Sequence, residues 1–190
     1  ILAMCVTPVH PPTGKLPVAM ADRMKSSVFA HDIDPRRMTD IAPRAIRAGV
    51  QIKTLSTQAL QGVAPFDLVL VDAPCSGSGT WRRTPDAKWR LTDERLHELN
   101  AIQAEVIAEG ASLCAPGGAL AYATCSVLRD ENDAIVEAFV AQNPSWHAQT
   151  PLRLQKWNLD MLLHRRMPHD HHQTSQTMVL DLHLFFLVLL

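Results

Sequence analysis

Phe66-Asp-Leu-Val-Leu-Val-Asp72, followed at once by Ala73-Pro-Cys-Ser-Gly-Ser-Gly79, is the stretch that decides the fold. Residues 66–71 are a nearly continuous run of apolar, partly β-branched side chains. That is the pattern of a strand covered on both faces in the middle of a parallel sheet. The run stops at an acid, and a loop of small residues begins. Pro74 stiffens the backbone just past the strand, while Gly77 and Gly79 let the chain pass close to a ligand. Ligands of open α/β sheets sit beyond the carboxyl ends of strands. The other strand ends are therefore the places to search.

Working outward, Val28–His31 reads as a strand ending at Asp32. Pro35 suits a first helical position, and Arg36–Ala48 reads as a helix that Pro43 should kink or split and Gly49 should stop. Val50–Leu55 alternates like a strand. Ile1–Cys5 is a further apolar run, followed by a proline-rich loop over Val6–Pro17 and a short helix over Val18–Met24. Downstream, Thr92 opens a long helix with Leu96, Leu99, Ile102, Val106, Ile107 and Ala111 on one face. Pro116-Gly117-Gly118 should break that helix before a buried strand over Ala119–Ala123. Asp130–Gln142 reads as a last helix, ended by Asn143-Pro144. This alternation predicts an α/β fold, an open and mainly parallel sheet with helices on both faces.

Composition sets the bounds. The 190 residues are 47% hydrophobic and 19% charged, which suits one ordinary globular domain. Eighteen basic residues against nineteen acidic ones give a net charge of −1, which excludes a polycation that coats nucleic acid by bulk charge. Cys5, Cys75, Cys114 and Cys125 lack the close spacing of a zinc site, and no signal peptide is evident. The apolar run Phe185–Leu190 is too short to span a bilayer and suits a strand. A cytoplasmic setting without a membrane partner is the expectation. Of the eight glycines, Gly14 is the one that falls in the first 48 residues.

Three strand ends carry chemistry. Asp32 is placed to accept hydrogen bonds from the ribose hydroxyls of a nucleoside cofactor, or else it caps the helix starting near Pro35. Cys75 and Cys125 lie at the same edge of the sheet. Two cysteines there without metal spacing suggest covalent chemistry, against the alternative of small buried hydrophobes. For Cys5 and Cys114 the core reading wins. Arg82, Arg83, Lys88 and Arg90 are interleaved with Trp81 and Trp89, which suits phosphate contact and base stacking, or a solvated surface with packing tryptophans. Arg36, Arg37, Arg44, Arg47 and Lys53 read as a solvated helix face. His164, His169, His171, His172 and His183 lack the acids or cysteines that would support a metal site.

Val69-Leu-Val-Asp-Ala-Pro-Cys-Ser-Gly-Ser-Gly-Thr-Trp-Arg-Arg-Thr-Pro-Asp-Ala-Lys-Trp89 closely resembles the fourth motif of the Sun/Nop family of RNA cytosine-5 methyltransferases. Ala121-Tyr-Ala-Thr-Cys-Ser126, followed by Glu131-Asn132, resembles that family's sixth motif, and Pro116-Gly117-Gly118 also fits. The likeness runs from about residue 28 to 141 and is strongest to the bacterial ribosomal RNA small-subunit members. It implies a Rossmann-like class I fold, S-adenosylmethionine as cofactor, and an RNA partner, ribosomal RNA first and tRNA second. It further implies that Cys125 is the nucleophile toward carbon 6 of cytosine and that Cys75 assists product release. Asp72 would contact the cytosine edge or the cofactor. Asp32, Gly14, Lys15 and Pro74 would bind cofactor, and Arg82, Arg83 and Lys88 would bind RNA. The target base should be flipped or unpaired. Residues 1–155 are expected to form the catalytic domain without the family's N-terminal RNA-binding region. Residues 156–190 are a divergent segment with a last strand at 185–190.

The chain departs from the family in two places. The cofactor loop reads His10-Pro-Pro-Thr-Gly14-Lys15, in which two prolines remove amide donors. Ser56-Thr57-Gln58 after the third strand offers no carboxylate for the adenine end. A second reading therefore stays open, an impaired member acting as an RNA-binding or assembly module. A cysteine hydrolase is weaker, since no histidine lies in the matched motifs to activate Cys125.

Overall fold

The computed structural model describes residues 2–6, 27–149, 152–154 and 182–189. The strands are β1 (Leu2–Val6), β2 (Ser27–His31), β3 (Ile52–Thr54), β4 (Phe66–Asp72), β5 (Cys114–Thr124), β6 (Trp146–Ala148), β7 (Leu152–Leu154) and β8 (Leu182–Leu189). The helices are α1 (Ile41–Ala48), α2 (Thr57–Val63), α3 (Asp86–Arg90), α4 (Asp93–Ser112) and α5 (Asp133–Gln142). The strands form one sheet in the order β3-β2-β1-β4-β5-β8-β6, with β7 also paired to β8. Pairing is parallel from β3 through β5 and antiparallel at β8. The strand order reverses between β1 and β4, which places a ligand-binding crevice at their carboxyl ends. The residues that follow β1, 7–26, lie outside the described residues, and with them the helix expected over Val18–Met24. Among the described residues no helix is long and apolar enough to cross a membrane.

β4 is covered on both faces, as its apolar run requires. Val69 and Val71 join a core with Phe29, Leu60, Phe66, Ile107, Leu120 and Tyr122. Leu68, pointing the other way, packs with Val28, Val50 and Ile52. α4 lies close against the first face because Gly110 has no side chain. A Cβ there would stand 2.5 Å from Val71 Cγ2 and 3.1 Å from Leu120 Cδ1. Gly110→Ala is expected to lower stability by about 1–3 kcal/mol through overpacking. Urea denaturation checks this, with an unchanged midpoint as the contrary result.

Several expected boundaries move, each for a physical reason. The segment 36–48 is split, but not by Pro43. A 3-10 turn at Pro35–Met38 ends when Thr39 bonds back to Arg36 O, and α1 starts at Ile41. Pro43 is the third residue of α1, where an amide hydrogen has no helical partner to lose. Gly49 ends α1 as expected, at φ +66°. α4 begins at the expected cap, since Thr92 Oγ1 accepts from Arg95 N–H at 3.2 Å. It ends at Ser112, before the Pro-Gly-Gly run. That run lies inside β5, in a bulge where the register passes from Phe66 opposite Cys114 to Leu68 opposite Ala119. The last helix starts at Asp133 rather than Asp130. Asn132 sits at φ −122°, ψ −95°, tied by its side chain to Ser126 O, Leu128 O and Thr124 Oγ1. α2 and α3 were not expected.

Candidate active site

The β4–β5 pairing builds the site. Asp72 lies opposite Ala123, and Ala73 N–H donates to Ala123 O at 2.8 Å. The two chains thus leave the sheet side by side. Cys75 and Cys125, fifty residues apart, meet with their Sγ atoms 3.3 Å from each other. Cys125 is buried and Cys75 half-buried, and neither is in a disulfide. Gly77, at φ +67°, turns the loop beside them. A Cβ there would reach 3.3 Å from Thr80 Oγ1 and 3.9 Å from Cys125 Sγ.

A second layer of bonds stitches the two loops together. Gly79 N–H donates to Cys125 O at 3.0 Å. Ser78 Oγ accepts from Val127 N–H at 2.8 Å and lies 2.9 Å from Ser126 Oγ. Glu131 is fully buried, and its carboxylate accepts from Ser76 N–H at 2.7 Å, from Ser76 Oγ–H, and from Gln103 Nε2–H at 3.1 Å. Gln103, also fully buried, donates to Pro74 O at 2.7 Å as well. Tyr122 O–H donates to the Glu131 carbonyl at 3.0 Å.

Asp32 follows β2 on the same sheet edge and is 2% exposed. Its Oδ1 accepts from Asp34 N–H at 2.8 Å. The cap of the Pro35 turn is Asp34, whose side chain accepts from Arg36 N–H. The capping alternative for Asp32 is therefore corrected. The Arg36 side chain bonded to Asp34 holds that carboxyl below its ordinary range. The basic stretch around it is partly paired with acids, Arg36 with Asp34 and Arg44 with Asp40. Ile33, next to Asp32, is 77% exposed.

Arg82, Arg83 and Lys88 are all exposed beyond the Cys75 loop. Trp89 is 81% exposed, with Lys88 Nζ 5.5 Å from its ring centroid. Trp81 is half-buried, and its indole N–H has no hydrogen-bond partner among the described residues. Gly14, Lys15 and the histidines at 164–172 lie outside the described residues. Among the described residues no three His, Cys, Asp or Glu side chains gather to hold a metal.

Sequence reasoning missed Gln103, Ser76, Ser78 and Ile33. A signal for Gln103 was present. It falls in step with Leu99, Ile107 and Gly110 on the buried stripe of α4, a polar residue among apolar positions.

Cys114 lies away from the site, and burial pushes its thiol up to about 12. Burial, with Cys75 and Glu131 nearby, pushes the Tyr122 phenol well above its ordinary range. Both groups stay protonated in the folded chain at pH values where the unfolded chain ionises. Folding stability should therefore be whole below about pH 9 and fall as the pH rises toward 12. Urea denaturation from about pH 8 to pH 11 checks this, and Cys114→Ala should make the fall shallower.

A family model described as 16S rRNA methyltransferase RsmB/F matches residues 1–178. The ribosomal RNA small subunit methyltransferase B of Klebsiella pneumoniae (strain 342) is 36% identical over 149 residues, covering 76% of this chain and 34% of that protein. The protein of the same name from Sodalis glossinidius is 36% identical over 149 residues, with the same coverage. The chain thus spans about a third of the length of these relatives. Among solved structures, PH0851 aligns over 97% of this chain and 42% of its own, with 27% identity and a TM-score of 0.68. NSun6 from Pyrococcus horikoshii, crystallised with SFG, aligns over 97% of this chain and 47% of its own, with 19% identity and a TM-score of 0.68. That second likeness shows the class I methyltransferase fold.

Proposed function

Because the chain belongs to the family of 16S rRNA methyltransferases RsmB/F, we propose that it carries the catalytic machinery of an RNA cytosine-5 methyltransferase. Residues 1–155, closed by β8, form its catalytic domain, and ribosomal RNA is its substrate. The observation that carries this reading is the pair of thiols, Cys75 and Cys125, held 3.3 Å apart where two parallel strands end.

The chemistry needs such a pair. Carbon 5 of cytosine is a weak nucleophile within an aromatic ring. Addition of the Cys125 thiolate to carbon 6 breaks the aromaticity and makes carbon 5 electron-rich. S-adenosylmethionine supplies the methyl group that carbon 5 takes up. Loss of the carbon 5 proton then restores the ring and expels Cys125. Cys75, at hydrogen-bond distance, donates to or exchanges a proton with the departing sulfur. Asp72, half-buried at the end of β4, holds the cytosine edge or the cofactor. The target base must be unstacked to reach a buried thiol. Arg82, Arg83 and Lys88 hold the RNA backbone by charge.

The residues present fit the cofactor. The buried Asp32 carboxylate accepts hydrogen bonds in the way a ribose diol requires. The exposed apolar Ile33 beside it suits one face of a purine. SFG, an analogue of S-adenosylmethionine, supports the choice through the structural neighbour. Titration calorimetry with S-adenosylmethionine tests it. The chain should bind, and Asp32→Ala should bind about 10- to 100-fold more weakly, as loss of hydrogen bonds to a charged group implies. Absence of binding to a folded chain would favour the second reading, an RNA-binding or assembly module. Pro11 and Pro12 in the cofactor loop speak for that reading.

A further inference from the structure

We propose that Glu131 and Gln103 are positioning residues that set the Cys75 thiol against Cys125. Both act through the loop and touch no substrate. The proposal rests on the reading of Cys75 as the thiol that assists release.

The argument starts from the loop's anchors. Cys75 is flanked by Pro74 and Ser76, and both neighbours are held from the same interior point. Gln103 holds the carbonyl of Pro74, while Glu131 holds the amide and hydroxyl of Ser76. Gln103 and Glu131 bond each other at 3.1 Å. The far end of the clamp is fixed to the other thiol's strand, since Tyr122 on β5 bonds the Glu131 carbonyl three residues before Cys125. A carboxylate buried without a cation is costly unless its lone pairs are filled. Here three donors fill them, and two of those come from Ser76. The Gln103 carbonyl oxygen is buried with no partner among the described residues. An amide left half-satisfied in a core is a burden for stability, which suits a side chain kept for the geometry it imposes.

Phenylarsine oxide provides a direct probe. It bridges two facing thiols, forming two arsenic–sulfur bonds while its oxygen leaves as water with the two thiol protons, and no redox change occurs. The wild-type chain should take up one equivalent and lose reactivity at both Cys75 and Cys125, read by mass spectrometry. Cys75→Ser gives the background. Glu131→Gln reverses one hydrogen bond at Ser76, and Gln103→Leu frees the Pro74 carbonyl. Each should weaken bridging about tenfold with an unchanged circular dichroism spectrum. Should either variant fail to fold, Ser76→Ala, a change at a half-buried position, should still weaken bridging a few-fold. Wild-type bridging in the folded variants would overturn the proposal, as would absence of bridging in the wild type. In the methyl-transfer assay the same variants should retain a covalent RNA adduct, the outcome also expected of Cys75→Ala. Slower transfer with no retained adduct marks a merely structural role and overturns it too. The arsenical result needs neither RNA nor cofactor, so a failure of the methyltransferase reading is told apart from a failure of the clamp.

Discussion

Cys125→Ala is expected to reduce methyl transfer to small-subunit ribosomal RNA by about 10,000-fold or more, the scale of loss when a nucleophile is removed from a covalent mechanism. The reason is electronic. Without addition at carbon 6, carbon 5 stays part of an aromatic ring and lacks the electron density to take a methyl group. The neighbouring hydroxyls do not replace the sulfur, and Cys75, whose thiol lies 3.3 Å away, serves the departing sulfur in this reading. Ser126 and Thr124, the adjacent hydroxyl residues, are fully buried and tied into bonds with Ser78, Leu128 and Asn132. Substitution should leave the fold intact, because the loss is one sulfur atom at the edge of the core. The measurement is transfer of tritiated methyl from S-adenosylmethionine to a 16S transcript. Residual transfer near the wild-type rate would move the nucleophile elsewhere.

Cys75→Ala has the opposite signature. Addition and methylation should still run, since Cys125 remains, but the departing sulfur loses its neighbour at 3.3 Å. The methylated base should therefore stay attached to the protein. A denaturing gel should show an RNA–protein band that is absent in the wild type and is lost again in the Cys75→Ala, Cys125→Ala double variant. A band that persists in the double variant would mean that the link runs through another residue. Single variants of coupled residues do not add, so the double variant is the informative one.

What could be read in the sequence follows from how local each signal is. β4 was legible because its apolar run stands out in seven residues, and the loop behind it was legible through proline and glycine. Thr57–Val63 was not. α2 has a single buried residue, Leu60, and so no stripe to detect. The Ser56 cap, which accepts from Ala59 N–H, was its available mark. Asp32 was found for the right place on the sheet, but the competing cap two residues on was not separated from it. The meeting of Cys75 with Cys125 was inferred from strand ends, yet its distance depends on the register that sets Asp72 against Ala123. Glu131 was visible as part of a motif, but its partners come from residues 28 and 55 positions away. No periodicity encodes contacts of that span.

β8 carries a consequence for how the molecule is made. It lies between β5 and β6 and also pairs with β7, so three strands depend on residues 182–189 for a neighbour. A chain emerging from the ribosome completes β1 through β5 long before that segment exists. During this interval β5, which holds Cys125 at its end, presents a row of open main-chain groups to whatever strand arrives first. Strand β5 thus waits for a strand made well after it to gain its second neighbour, and until then its open edge lies next to Cys125.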